Sequence, residues 1–123
     1  MEKPANKVLI VEDHPLIGKS IVDAINNFSS VKSLQLTTSL HEAISLLGVN
    51  DFNLIILDLS LPDGNGLELL KLLKERNEKK KVLVFSTNTD LKNVCLRYGA
   101  YAFFDKANDF DELIETIKNK NIF

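Results

Sequence analysis

Three short, uninterrupted apolar runs constrain this chain more than any other feature: Val8-Leu9-Ile10-Val11, Leu54-Ile55-Ile56-Leu57 and Val82-Leu83-Val84-Phe85. They are rich in β-branched residues, and a strand with no polar alternation has to be covered on both of its faces. Tyr101-Ala102-Phe103-Phe104 is a fourth run of this kind. The stretch from Val31 to Thr37 differs, because Leu34 and Leu36 alternate with Ser33, Gln35 and Thr37; it predicts a strand with one polar face, at a sheet edge.

Helical patterns separate the runs. Ile17, Ile21, Ile25 and Phe28 share one helix face, as do Leu40, Ala43, Ile44 and Leu47. The same holds for Leu67, Leu70 and Leu73, for Leu91, Val94, Cys95 and Tyr98, and for Phe110, Leu113, Ile114 and Ile117. Local signals mark several starts. Pro15 suits a first helical turn, Ser39 with Glu42 has the spacing of a capping box, and Asn108 and Asp109 are candidate caps for the last helix. The Lys79-Lys80-Lys81 run reads as a solvated turn. Five strand–helix units in succession predict a parallel sheet covered on both faces, a doubly wound α/β sandwich. Fold statistics and the polar edge strand favour the strand order 2-1-3-4-5.

The chain of 123 residues suits one domain, spanning 1–123. The formal net charge of -2 argues against non-specific nucleic-acid binding, which needs a basic face. Cys95 is the single cysteine, so an internal disulfide is impossible and a reducing compartment is expected. The first apolar run is too short for a secretory signal, and no stretch approaches the ~20 apolar residues of a membrane span. The expectation is a soluble, cytoplasmic protein without membrane contact.

In open parallel sheets ligands bind beyond the carboxyl ends of the strands, where the winding reverses. Glu12 and Asp13 follow the first strand, Asp58 the third, Ser86 and Thr87 the fourth, and Asp105 and Lys106 the fifth. In the expected order, Glu12, Asp13 and Asp58 share one crevice. Two unit charges ~4 Å apart repel by about 4 kcal/mol at an effective dielectric near 20. Either one acid is protonated or a cation sits among them. Hard oxygen ligands suit Mg²⁺ better than zinc. Singly, each acid reads as a helix cap; together at one sheet edge they favour an acidic metal-binding crevice.

The same residues carry a family resemblance. VLIVEDHP (Val8 to Pro15), LIILDLSLPDGNG (Leu54 to Gly66), VLVFST (Val82 to Thr87) and GAYAFFDKA (Gly99 to Ala107) stand in the order and spacing of bacterial response-regulator receiver domains, which are CheY-like. The resemblance implies a flavodoxin-like (βα)5 fold and a phosphoacceptor role for Asp58 in two-component signalling. It implies a sensor histidine kinase or histidine phosphotransfer protein as donor. Mg²⁺ would be held by Asp13, Asp58 and the Ser60 carbonyl, with Glu12 acting through metal-bound water. Ser86 and Lys106 would bind phosphoryl oxygens. Ser86 and Phe103 would form the switch that alters the face of the fourth helix, fifth strand and fifth helix. A downstream protein or an output domain outside this chain would read that face, which is also a candidate homodimer surface.

Three positions depart from the commonest pattern. Ala107 replaces a proline that often forms a cis bond, Phe103 lacks a tyrosine hydroxyl, and Thr87 replaces a common alanine, which implies tighter phosphoryl access. Ser60 and Asn88 stand at positions that tune hydrolysis. His14 reads as a helix-start residue, His41 as a solvated one, and Cys95 as packing. Two other readings compete. One is a receiver-like module that signals by binding alone. The other is a Mg²⁺-dependent phosphatase, against which Ser60 counts because such enzymes commonly carry an acid there. The expectation is a signalling domain that promotes only its own phosphorylation and dephosphorylation.

Overall fold

A computed structural model describes residues 6–119, 122 and 123. In chain order the elements are β1 (Lys7–Val11), α1 (Pro15–Ile25), β2 (Ser33–Thr37), α2 (Leu40–Val49), β3 (Leu54–Leu57), β4 (Ser60–Leu61), β5 (Gly64–Asn65) and α3 (Leu67–Glu75). There follow β6 (Lys81–Ser86), a 3₁₀ turn (Thr89–Leu91), α4 (Lys92–Arg97), β7 (Ala102–Asp105) and α5 (Phe110–Lys118). β4 and β5 form a small antiparallel hairpin. The other five strands make one sheet in the order β2-β1-β3-β6-β7. Every neighbouring pair in that sheet is parallel. Counted within the main sheet, this is the expected 2-1-3-4-5 order, and the alternating strand β2 lies at an edge.

The uninterrupted runs are explained by two apolar layers. Side chains alternate along a strand, so Leu9, Val11, Ile55, Leu57, Val82 and Val84 face one way. There they meet Leu40 and Leu47 of α2, Leu69 and Leu73 of α3, and Cys95 of α4. Val8, Ile10, Leu54, Ile56, Leu83 and Phe85 face the other way, against Ile21 and Ile25 of α1 and Leu113 and Ile117 of α5. Each fully buried Leu or Ile contributes roughly 1.5–3 kcal/mol. Two filled faces leave only the strand ends open for polar chemistry. No helix among the described residues is long and apolar enough to cross a membrane.

Local details depart from the sequence-based expectations. Ser39 caps α2 through the Glu42 N–H at 3.1 Å, but the Glu42 carboxylate accepts from the Thr37 hydroxyl, so the capping box closes on one side only. Asp109 precedes α5 without capping it. Its carboxylate instead accepts from the Asp105 N–H at 2.9 Å and tightens the turn after β7. Asn108 likewise turns back, its amide donating to the Asp105 carboxylate.

Lys80 is not a solvated turn residue. Its side chain is only 9% exposed, and its ammonium reaches the Phe52 carbonyl at 2.9 Å and Asp51 at 3.1 Å. Lys81 already belongs to β6. The last apolar stripe before β7 begins in the 3₁₀ turn, and α4 ends before Tyr98. Tyr101 is exposed and lies outside β7. On β2, Thr37 is buried while Leu36 is partly exposed. Leu36 lies over Gly18 of α1, where an added Cβ would stand 3.2 Å from its methyl.

Two glycines make opposite predictions. A Cβ on Gly66 would stand 2.4 Å from the Asp58 carbonyl oxygen, which is backbone and cannot turn aside. Gly66→Ala is expected to destabilise the fold by about 1–3 kcal/mol, the range for overpacking. Gly48, within α2, has nothing near its Cβ position. Gly48→Ala is expected to stabilise by about 0.5–1 kcal/mol through backbone entropy. Urea denaturation of both variants reads the two signs directly.

Candidate functional site

The acidic edge is assembled by the sheet register. Val11 pairs with Leu57, and Leu57 with Val84. The residues that follow β1 and β3, Glu12 and Asp58, therefore leave the sheet side by side. Backbone bonds hold them: Asp58 N–H donates to the Val11 carbonyl and Glu12 N–H to the Thr37 carbonyl, both at 2.9 Å. Lys106 is tied in the same way, its N–H donating to the Ser86 carbonyl at 3.1 Å. The acids are placed by ladder continuation, not by flexible loops.

Glu12, Asp13 and Asp58 can each offer a carboxylate oxygen within 4.8 Å of the others. Glu12 and Asp58 are buried, whereas Asp13 is exposed at the mouth. The Lys106 ammonium lies 2.7 Å from Glu12 Oε1 and 3.1 Å from Asp58 Oδ2, and 5.9 Å from the centre of the Phe85 ring. The second Glu12 oxygen accepts the His14 N–H at 3.1 Å, and Asp58 Oδ1 accepts the Ser60 N–H at 3.2 Å. His14 does not cap α1 with its side chain.

Burial, the dominant cause, raises the pKa of Glu12 above its ordinary value, and the Asp58 charge adds to the rise. The hydrogen bond and charge of Lys106, with the His14 N–H, oppose it. Three carboxylates against one ammonium leave two formal negative charges. An all-oxygen set with that excess suits a hard divalent cation.

The remaining expected residues lie around this centre. Ser86 is buried at the end of β6. Its Oγ accepts the Asn88 N–H at 3.0 Å, which leaves its O–H free to donate. Ser60 opens the β4–β5 hairpin. Phe103 sits half-buried on β7 and packs on the α2–α3–α4 layer, while Phe104 faces the α1–α5 layer. Thr87 and Asn88 are exposed beside Ser86. The Lys106–Ala107 bond is trans, since no described peptide bond is cis. Cys95 is buried, and desolvation pushes its thiol pKa up. His41 is exposed, as expected.

Sequence reasoning missed Asp63. From the hairpin tip, both its carboxylate oxygens reach the start of α2, accepting the Leu40 and His41 N–H groups at 2.8 Å each. These bonds hold its pKa below the ordinary value. The Pro62-Asp63-Gly64 turn signal was visible in the chain, but not the helix terminus it serves.

The family model described as the response regulator receiver domain matches residues 8–118. The transcriptional regulatory protein MalR of Bacillus subtilis is 35% identical over 85% of this chain and 45% of its own length. The glycerol metabolism activator of Pseudomonas putida is 32% identical over 95% of this chain and 56% of its own length. The chain thus spans about half the length of these relatives. The receiver domain of the Francisella response regulator 1452 superposes with a TM-score of 0.76 at 26% identity, covering 91% of this chain and 93% of that one.

The Glu12 shift has a sign that can be tested. Its folded pKa lies above the unfolded value near 4.5. The folded state therefore binds that proton more tightly, and stability falls as pH rises from 4.5 through the raised folded pKa. In metal-free buffer, Glu12→Gln is expected to melt higher than the wild type at pH 7. The advantage should vanish as pH falls to 4.5, as read by thermal melts across that range.

Proposed function

Because this chain belongs to the response-regulator receiver-domain family, we propose that it accepts a phosphoryl group on Asp58 from a sensor histidine kinase or histidine phosphotransfer protein. The observation that carries this reading is the Lys106 ammonium seated between Glu12 and Asp58, with Asp13 within ligand range. Lys106 offsets part of the acids' repulsion, and its ammonium beside Asp58 also stands where a phosphoryl oxygen on that carboxylate would need a positive charge.

Asp58 attacks phosphorus in line. The new bond is O–P, the bond that breaks is N–P, and the donor imidazole leaves with the electron pair. Asp13, Asp58 and the Ser60 carbonyl would hold Mg²⁺, with Glu12 adding charge behind them. A bound Mg²⁺ supplies neutralisation of the phosphoryl oxygens. Lys106 pairs with one phosphoryl oxygen, and the Ser86 hydroxyl donates to another. The chain's own contribution is positioning and charge, which makes it a signalling domain that promotes only its own phosphorylation and dephosphorylation.

The readout proposed is a population shift. Ser86, drawn to the phosphoryl group, gives up the Asn88 N–H, and the loop it anchors moves with it. Phe103, half-buried on β7, follows. The face of α4, β7 and α5 then presents a changed surface to a downstream protein, to an output domain, or to a second copy of this chain. Residues 1–123 form the single receiver domain in this reading, and the protein works in the cytoplasm.

The test is incubation with a small phosphodonor and Mg²⁺, followed by intact mass. One phosphoryl adduct is expected, lost in Asp58→Asn and in excess chelator. An adduct of equal yield in Asp58→Asn, or none in the wild type, would overturn the proposal.

A further inference from the structure

Asp63 has no part in the phosphoryl chemistry, yet it makes an unusual connection. It sits at the tip of the two-stranded hairpin β4–β5, which begins at Ser60, two residues after Asp58. Its two carboxylate oxygens each accept a backbone N–H from the first turn of α2, Leu40 and His41, at 2.8 Å. A carboxylate at a helix N-terminus is favoured by the unpaired N–H groups and by the helix dipole. This one comes from a segment 23 residues further along the chain, so it ties two elements together as well as capping one of them.

The tie is packed on both sides. Leu61 of the hairpin and Leu40 of α2 belong to the same apolar cluster. Gly64 passes so close to α2 that an added Cβ would stand 2.9 Å from a Leu40 methyl, with φ at +158°. The same first turn of α2 is tied on its other side as well. The Glu42 carboxylate accepts from the Thr37 hydroxyl, and the Thr37 carbonyl accepts from Glu12 N–H at 2.9 Å.

A continuous chain of bonds therefore runs from Glu12, through Thr37, Glu42 and the first turn of α2, to Asp63 and the hairpin of Ser60. It joins the two banks of the acidic crevice, Glu12 and Asp13 on one side, Asp58 and Ser60 on the other, by a path that leaves the sheet at Thr37. Of these bonds, the pair made by Asp63 is what holds the Ser60 bank to α2.

We propose that Asp63 is a positioning residue: by clamping the hairpin to α2 it sets the place of the Ser60 bank, and with it the affinity of the crevice for Mg²⁺. This rests on the function proposed above. Asp63 is exposed and stands outside the acidic cluster, so it acts through the loop and not as a ligand. The clamp also acts on affinity alone: once the cation is bound, Asp58, Lys106 and Ser86 are as before.

The test compares two caps of the same helix. Ser39 accepts the Glu42 N–H at 3.1 Å and, among the described residues, makes no hydrogen bond to the hairpin. Asp63→Ala, Asp63→Asn and Ser39→Ala are made in the full chain. Mg²⁺ affinity is measured by calorimetry, stability by urea denaturation, and phosphorylation by a small phosphodonor across a Mg²⁺ series.

Asp63→Ala is expected to weaken Mg²⁺ binding about fivefold, with Asp63→Asn, which keeps one acceptor oxygen, in between. The Mg²⁺ concentration for half-maximal phosphorylation should rise to match, while the rate at saturating Mg²⁺ stays within about twofold of wild type. Ser39→Ala should lose stability and keep wild-type Mg²⁺ affinity. Equal Mg²⁺ affinity in wild type and Asp63→Ala would overturn the proposal, as would an equal weakening in Ser39→Ala, which would make helix capping the cause. A wild type that binds no Mg²⁺ would overturn the functional reading, and this proposal with it.

Discussion

Mutual repulsion among Glu12, Asp13 and Asp58 is the constraint on which the rest of this structure turns. Three carboxylates whose oxygens lie within 4.8 Å oppose folding, each close pair by about 4 kcal/mol at an effective dielectric near 20. A domain with roughly 5–15 kcal/mol of net stability does not tolerate that without compensation. The compensation comes from two places. Lys106 brings a positive charge from the far side of the sheet, its ammonium near the Phe85 ring. The two apolar layers then hold the strand ends too firmly for the acids to move apart.

That division of labour explains the fold's economy. Helices cover both faces of the sheet, so neither face can host chemistry. The strand ends are what remains, and the reversal of winding between β1 and β3 opens a crevice there. Glu12, Asp58 and Lys106 lie one residue past a strand and Ser86 at the last position of one, so their placement inherits the stiffness of the ladder. The receiver-domain family model spans residues 8–118, strands and site residues together. Motif and scaffold are not separable parts here.

Much of this was legible in the chain because the signals are local. A run such as Val8 to Val11 has to serve two opposite faces, and Leu9 and Ile10 do go to different layers. Glu12, Asp58, Ser86 and Lys106 were legible because position after a strand is itself a location. What escaped was the set of contacts made between distant segments. Asp109 has the look of a cap, but Asp105 N–H is the stronger claimant on its carboxylate. Asp63 finds its partners 22 and 23 residues back, and Lys80 finds Phe52 28 residues back. No periodicity marks such pairs, since they depend on which elements the fold lays side by side.

The lysine between Glu12 and Asp58 is, in effect, the incumbent cation of the crevice. Any ion arriving from solution competes with a charge already in place and already covalently attached. A monovalent ion offers no more charge than the ammonium and has to shed its own water to approach. A divalent ion brings the two charges that the acids still lack. On charge alone the bridge therefore works as a valence filter, favouring an occupant of charge two over one of charge one.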